Sequence, residues 1–263
     1  MIPIVYNHTH FIVVNKPVDI GMHASSNLDK TELGIADLLC QLYNFNKLYL
    51  VHRLDTHTSG TMVLAKSKPA AHALSKLFEA RKVTKYYIAL LAKKPKKKQG
   101  KVQGKMEKAR NGSYKLMQKS KESKESTNAS DAISFFFTQP YPQQQTSINE
   151  VRLNNCSTTV QPNRMAIVKP ITGKTHQIRV AMKSLGSPIL GDKRYKGEEA
   201  DRLYLHSAYL SFNFESEEYI FKTLPQSGNF FDQTRLSELP EFNNFAWPKY
   251  AIPSITPLIN NIS

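Results

Sequence analysis

Residues 51–66, Val-His-Arg-Leu-Asp-Thr-His-Thr-Ser-Gly-Thr-Met-Val-Leu-Ala-Lys, run a charged and hydroxyl-rich turn straight into an apolar segment. Met62-Val63-Leu64-Ala65, just behind Gly60, reads as a buried strand, and a buried strand commits the chain to a sheet. Asp55 lies in the turn that precedes it, with Arg53 close by in sequence. Two roles are open to such a carboxylate. It is a positioned nucleophile or base with Arg53 in reach, or it caps a turn while Arg53 pairs with it at the surface. Residue types alone favour the second, because Asp, Thr and Ser are ordinary turn residues.

At 263 residues the chain forms one large domain or two small ones, with 40% hydrophobic residues to fill a core. Its formal net charge of +15 is large for an enzyme of small neutral substrates. Such a surplus points to a polyanionic partner, since basic side chains release counterions when they meet phosphates. The plainer alternative is a solvated basic surface. Cys40 and Cys156 are too few for a disulfide scaffold and lack metal-ligand spacing, so a reducing compartment and no metal are expected. No run approaches the roughly 18 apolar residues of a membrane span. The first residues, Met-Ile-Pro-Ile-Val-Tyr-Asn-His, lack the order of a signal peptide, and a cytoplasmic location is expected.

Phe11-Ile12-Val13-Val14 reads as a buried strand closed by Lys16-Pro17. Residues 31–43 read as a helix with Thr31 as N-cap and Leu33, Ala36, Leu39, Leu42 and Tyr43 on one stripe. A second helix covers residues 69–82, opened by Ser67 and Pro69, with Ala70, Ala73, Leu74, Leu77 and Phe78 on its apolar face. Residues 85–92 form a strand. Beyond it Lys93, Lys94, Lys96, Lys97, Lys98, Lys101, Lys105, Lys108 and Arg110 crowd a stretch with few apolar residues, and a polar tract continues to Ser130. That composition cannot bury a core, so residues 93–130 are expected to be a long hairpin excursion or partly disordered. Either it grips the polyanionic partner or it is a solvated loop.

Further strands are expected at residues 132–137 and 164–169, with another near 148–153 in a turn-rich connection containing Gln143-Gln144-Gln145 and Asn154-Asn155. A helix starts near Thr175, carries Ile178, Ala181, Met182 and Leu185 at helical spacing, and ends at Gly186. Arg179 lies off that stripe, free to reach a polar site. Gly173-Lys174-Thr175 is not a phosphate loop, which would need a glycine where Val168 stands. Residues 210–214 and 219–221 look like closing strands, and residues 241–263, with Trp247-Pro248, form a tail without motifs.

His52-Arg53-Leu54-Asp55, Thr58-Ser59-Gly60 and Ala65-Lys66 together closely resemble the catalytic signature of the RluA-type pseudouridine synthases. Val14-Asn15-Lys16-Pro17, the Lys85/Tyr87 pair, Thr172-Gly173-Lys174-Thr175-His176-Gln177-Ile178-Arg179-Val180 and the run Gly186, Pro188, Ile189, Gly191, Asp192, Tyr195 resemble further motifs of that family. Leu203-Tyr204-Leu205-His206 and Leu224-Pro225 resemble its closing segments. Two departures stand out: Lys174 replaces the usual Arg, losing its bidentate fork, and Ala181 replaces the usual His.

The resemblance implies an α+β fold, a mixed and mainly antiparallel sheet flanked by helices. It implies one catalytic domain over residues 1–240, carrying the basic insertion and followed by the tail. With the first strand so near residue 1, no N-terminal RNA-binding domain is expected ahead of it. The implied activity is isomerisation of specific uridines in ribosomal or transfer RNA to pseudouridine, by a monomer without cofactor. Asp55 is implied as nucleophile, Arg179 as its ionic partner and Tyr87 as the stacking face for the base. His52, Arg53, Lys174, Thr175, His176 and Gln177 are then expected to contact RNA, together with Lys93, Lys94, Lys96, Lys97 and Lys98 on the insertion. The competing readings are an RNA-binding protein that has lost catalysis, supported only by Lys174 and Ala181, and a hydrolase built on Asp55, His52 and His57.

Overall fold

The computed structural model describes residues 2–27, 30–117, 131–141, 160–232 and 236. In chain order the elements are β1 (Ile4–Asn7), β2 (Phe11–Lys16), β3 (Ser25–Asn27), β4 (Lys30–Glu32), α1 (Ile35–Tyr43), β5 (Tyr49–Leu50) and β6 (Ser59–Ala65). They continue through α2 (Lys68–Glu79), β7 (Thr84–Leu91), β8 (Gln99–Gly104), β9 (Met106–Lys108), β10 (Tyr114–Leu116), β11 (Ala132–Pro140) and β12 (Arg164–Pro170). The last are α3 (Gln177–Ser184), β13 (Leu205–Phe214) and β14 (Glu217–Lys222).

Ten strands make one mixed sheet in the order β1-β2-β6-β13-β7-β12-β11-β8, with β14 added to β13 and β5 to β6. Within it β6 and β13 run parallel, while the remaining described pairings are antiparallel. The mixed, mainly antiparallel sheet with few helices is the expected architecture.

The uninterrupted apolar runs of β2 and β6 follow from burial on both faces. Ile12, Val14, Met62 and Leu64 face the cluster that also holds Ile35 and Leu39 of α1. Phe11, Val13, Val63 and Ala65 face a second cluster with Ala70 and Leu74 of α2. Side chains alternate along a strand, so a strand covered by a helix on each face loses the polar alternation of a half-exposed one. At the far side of the sheet α3 contributes Ile178, Ala181 and Met182 to the first cluster.

Several boundaries differ from expectation. Thr31 falls in strand β4; the helix starts at Ile35 behind Gly34, where a Cβ would lie 2.8 Å from the Met22 carbonyl oxygen. Helix α2 ends at Glu79 rather than Lys82, because Arg81 turns into the left-handed region at φ 58°, and its Ala73 faces solvent. Ser67 caps it as expected, accepting from the Ala70 N–H at 3.3 Å. Helix α3 begins at Gln177, after a left-handed His176, and Gly186 ends it at φ 75°.

The largest correction concerns the lysine-rich stretch. Residues 99–104 are not an excursion: β8 pairs antiparallel with β11 from Gln99 to Gly104 and closes one edge of the main sheet. Val102 points into the core, whereas Lys101 shares a register position with Phe135 on an edge. An edge strand needs its backbone bonds and one inward side chain, and lysines on such an edge discourage further strand addition. β9 and β10 then form a separate hairpin. The polar tract 118–130, the strand expected near 148–153 and the tail 241–263 lie outside the described residues.

β6 and β13 meet so closely that a Cβ on Gly60, at φ 123°, would sit 2.3 Å from the Ser207 carbonyl oxygen. Beside that contact, fully buried His206 and the Ser59 hydroxyl lie 2.8 Å apart at Nδ1, and the His206 Nε2–H donates to the Thr223 carbonyl. Ser59 Oγ also accepts from Arg202 Nη2 at 2.7 Å. Burial pushes the His206 imidazole down to about 3; the Thr223 carbonyl opposes this and the Arg202 charge reinforces it. The unfolded chain therefore takes up a proton near pH 6.5 that the folded chain refuses until about pH 3. This contribution is complete above pH 6.5 and is lost as pH falls toward 3, at up to about 1.4 kcal/mol per pH unit. Urea unfolding of the wild type and His206→Gln at several pH values checks this. The wild type should lose stability faster between pH 6.5 and 4.5, whereas parallel profiles would refute it.

Candidate active site

Asp55 lines a cavity of about 500 Å³, in the turn between β5 and β6. The turn is pinned on several sides. Leu54 anchors it in the core, and the Thr58 N–H donates to the Asp55 carbonyl at 2.9 Å. The Thr56 carbonyl accepts from the Asp19 N–H at 2.9 Å and from the fully buried Lys16 Nζ at 3.0 Å. Lys16 also donates to the Pro17 carbonyl. Burial lowers its ammonium to about 8, partly offset by Asp19. The Asn15-Lys16-Pro17 resemblance thus has a local cause: a lysine at the end of β2 bonds the backbone next to Asp55.

Arg179 comes from the first turn of α3, across the sheet from that loop. Its guanidinium is 5% exposed and its fork closes on Asp192, with Nε donating to Oδ2 at 2.8 Å and Nη2 to Oδ1 at 2.7 Å. Nη1 remains, 3.5 Å from Asp55 Oδ2. Burial works against the charged form, but the Asp192 bonds and the Asp192 and Asp55 charges prevail and raise the guanidinium pKa. The ion pair expected between Arg179 and Asp55 is present, while the stronger bidentate contact belongs to Asp192. That residue was part of a matched motif, yet its sequence neighbours carry no sign of the role.

Tyr87 of β7 is buried and lines the same cavity, its phenol pushed up to about 12 by burial. His176 turns inward: its Nε2 is 3.9 Å from Asp55 Oδ2. Lys174 is exposed and Thr175 half-buried on the cavity rim.

Two of the expected RNA contacts take other positions. Gln177 is buried with its amide fully engaged, accepting from Thr172 Oγ1 and the Lys174 N–H and donating to the Ile133 carbonyl and Ser134 Oγ. It clamps the loop ahead of α3 to β11. His52 stacks on Phe78 at 4.4 Å and accepts from the Val63 N–H at 3.1 Å. Burial, helped by Lys85, pushes its imidazole down to about 3, so it is a neutral wall and offers no cation to a phosphate. Arg53 is exposed beside it on the cavity rim.

Lys93, Lys94, Lys96, Lys97 and Lys98 are exposed between β7 and β8 and do not line the cavity. Lys93 pairs with Glu198 at 2.5 Å, and the Lys96 N–H ties this segment to α3 through the Leu185 carbonyl. Ala181 faces the apolar core, away from the cavity. Lys85, unremarked beyond its motif position, lines the cavity and is pushed down to about 8 by burial. Among the described residues no group of three or more His, Cys, Asp or Glu is placed to hold a metal, and no helix is long and apolar enough to cross a membrane.

A carboxylate, a guanidinium bonded to Asp192 and an aromatic ring line one cavity, with Arg53 and Lys174 exposed at its rim. Residues 10–184 match the family described as RNA pseudouridylate synthase. The chain is 41% identical over 232 residues to an uncharacterized RNA pseudouridine synthase of Haemophilus influenzae, covering 87% of this chain and 90% of that protein. It is 32% identical over 214 residues to the dual-specificity RNA pseudouridine synthase RluA of Vibrio parahaemolyticus, covering 80% and 76% of the two. The fold is similar to that of human RNA pseudouridylate synthase domain containing 1, with a TM-score of 0.64 at 24% identity over 89% of this chain and 87% of that one. This chain belongs to the RNA pseudouridine synthase family, a class of isomerases, and within it to the RluA type.

Proposed function

We propose that the chain isomerises specific uridines of ribosomal or transfer RNA, with Asp55 as the nucleophile. The observation that carries this reading is the Asp55 carboxylate lining the cavity, 3.5 Å from a guanidinium that Asp192 holds in place. The bond between uracil N1 and ribose C1′ breaks, the base turns, and C5 bonds to C1′ while C5 loses a proton and N1 gains one. The rearrangement involves no net oxidation or reduction, and the reacting carboxylate comes from the chain itself. The carboxylate acts on the sugar, either by attack at C1′ or by removal of the C2′ proton, and both routes need it ionised. Arg179, 3.5 Å away, is its ionic partner and gives the carboxylate a direction.

Tyr87 offers its ring to the detached base, and Arg53, Lys174 and Thr175 on the rim are positioned for the RNA backbone. A uridine within a duplex must be turned out of its stack, at a cost of a few kcal/mol that contacts elsewhere must offset. The net charge of +15 supplies a source for them. Neither Lys174, which is exposed, nor core-facing Ala181 disturbs the Asp55–Arg179 pair, which weighs against a purely binding role. Mapping pseudouridines by chemical modification in RNA from cells with and without the gene tests the reading and identifies the target. Identical maps would overturn it.

The lysines between β7 and β8 are the proposed outer grip. Replacing Lys93, Lys94, Lys96, Lys97 and Lys98 by Gln should flatten the dependence of RNA affinity on salt. The slope of log K against log salt should fall by about 0.7–0.9 for each lysine that meets a phosphate. A filter-binding series from low to moderate salt measures it, and an unchanged slope would remove these residues from the interface.

A further inference from the structure

We propose that His176 is a positioning residue for Asp55, a neutral N–H donor aimed at its carboxylate by Tyr195 and by the β9–β10 hairpin. This rests on the reading of Asp55 as the reacting group. His176 has the left-handed backbone at φ 57° that precedes α3, and this turns its ring into the cavity wall instead of out toward the rim. Its side chain is 14% exposed, with Nε2 3.9 Å from Asp55 Oδ2 on one side and Nδ1 2.9 Å from the Tyr195 hydroxyl on the other.

Which nitrogen carries the proton follows from the groups around the ring. Asp55, Asp192, Arg179 and Arg194 bear on it electrostatically, and Tyr195 and Tyr114 meet it edge-on at 5.6 and 5.7 Å. Burial lowers the imidazole pKa, opposed by Asp55 and reinforced by Arg179 and Arg194, so the ring is neutral at neutral pH. With the proton on Nδ1, the Nε2 lone pair would face the Asp55 carboxylate, a repulsive arrangement. With it on Nε2, the N–H points at that carboxylate and Nδ1 accepts from the Tyr195 hydroxyl. The Tyr195 oxygen then remains free to accept, and it does so from the Tyr114 N–H at 3.0 Å. Burial raises the Tyr195 phenol, which keeps its proton available for Nδ1. The Tyr114 N–H and the Tyr195 O–H thus each have an acceptor, and the Nε2–H faces Asp55 Oδ2 at 3.9 Å, beyond hydrogen-bond length but in ionic range.

The arrangement joins the basic hairpin to the reacting carboxylate. Residue Tyr114 begins β10, and the Arg194 guanidinium next to Tyr195 donates to the Asn111 carbonyl at the hairpin tip. A shift of the hairpin on RNA would therefore act on the direction of the His176 N–H. Arg179 and His176 both approach the same Asp55 Oδ2, at 3.5 and 3.9 Å.

The test has two arms on the full chain. In the first, long-range proton–nitrogen spectra of histidine-labelled protein at pH 7.5 report the tautomer, with the His176 signal identified by its loss in His176→Gln. The expected result is Nε2–H, with a nitrogen shift that moves in Asp55→Asn; an Nδ1–H ring overturns the proposal. The second arm measures tritium release from ribosomal and transfer RNA labelled at uridine C5. His176→Ala should lower kcat about tenfold to a hundredfold with KM within about twofold. His176→Gln, whose amide can present an N–H near the same place, should recover most of that loss, and Tyr195→Phe should lower kcat several-fold. A kcat for His176→Ala within about twofold of wild type overturns the proposal. If the wild type releases no tritium, the enzymatic reading itself fails, and the spectra still decide the placement of the His176 proton.

Discussion

Asp55→Asn should lower isomerisation by at least about three orders of magnitude while RNA affinity and thermal stability stay near wild type. The amide fills the same space and keeps a polar group toward Arg179, so the loop held by Leu54, Lys16 and Thr58 has no reason to move. What disappears is the negative charge that both routes at the ribose require. Affinity should survive because the proposed phosphate contacts come from Arg53, the rim and the outer lysines rather than from the carboxylate. Tritium release under single-turnover conditions, paired with filter binding of the same RNA, measures both halves. Turnover within tenfold of wild type would exclude Asp55 as the nucleophile. A large loss of affinity would mean that the carboxylate also organises the bound RNA.

The second large effect is at Arg179, where two substitutions separate its two partners. Arg179→Ala leaves Asp192 ionised and fully buried without either of its guanidinium bonds. Breaking a buried ion pair from one side typically costs about 3–5 kcal/mol, so this variant should lose much of its stability as well as its turnover. Arg179→Lys keeps a charge in the pocket. A single ammonium cannot bond both Asp192 oxygens and also stand toward Asp55 with the geometry of a fork. It should fold, with a smaller loss in urea midpoint, and still lose about a hundredfold in kcat with a milder change in RNA affinity. Urea unfolding beside single-turnover kinetics separates the outcomes. If Arg179→Lys turned over at near wild-type rates, the fixed direction of the guanidinium would be irrelevant to catalysis.

Most of the sheet is legible in the sequence. Near-continuous apolar runs along β2, β6, β7 and β12 mark buried strands, because neighbouring side chains in a strand face opposite sides of the sheet and both sides here are covered. Helices α2 and α3 were legible to within a turn for a similar reason, since Ser67 and Gly186 are local end signals. β8 was missed because its lysines dominate the composition, while a sheet edge asks little of side chains beyond Val102. The start of α1 was misplaced because Thr31 is a favourable cap by type, whereas Gly34 is chosen by a close approach to Met22 and His23 that no local pattern reveals.

The site divides along the same line. By itself the sequence determined the turn that carries Asp55, the strand that fixes its end, the cationic residue off the apolar face of α3 and the positive charge that suits RNA. Tertiary structure alone decided the partners. It gave the Arg179 fork to Asp192, turned His52 and Gln177 from expected RNA contacts into internal supports, and brought His176 to Asp55. Spacing within an element is a local property, governed by backbone geometry over a few residues. Which side chains share a cavity depends instead on strand order and on a left-handed residue ahead of α3. Asp55 is recognisable in its own turn, but the groups that give its carboxylate a direction arrive only when the sheet closes.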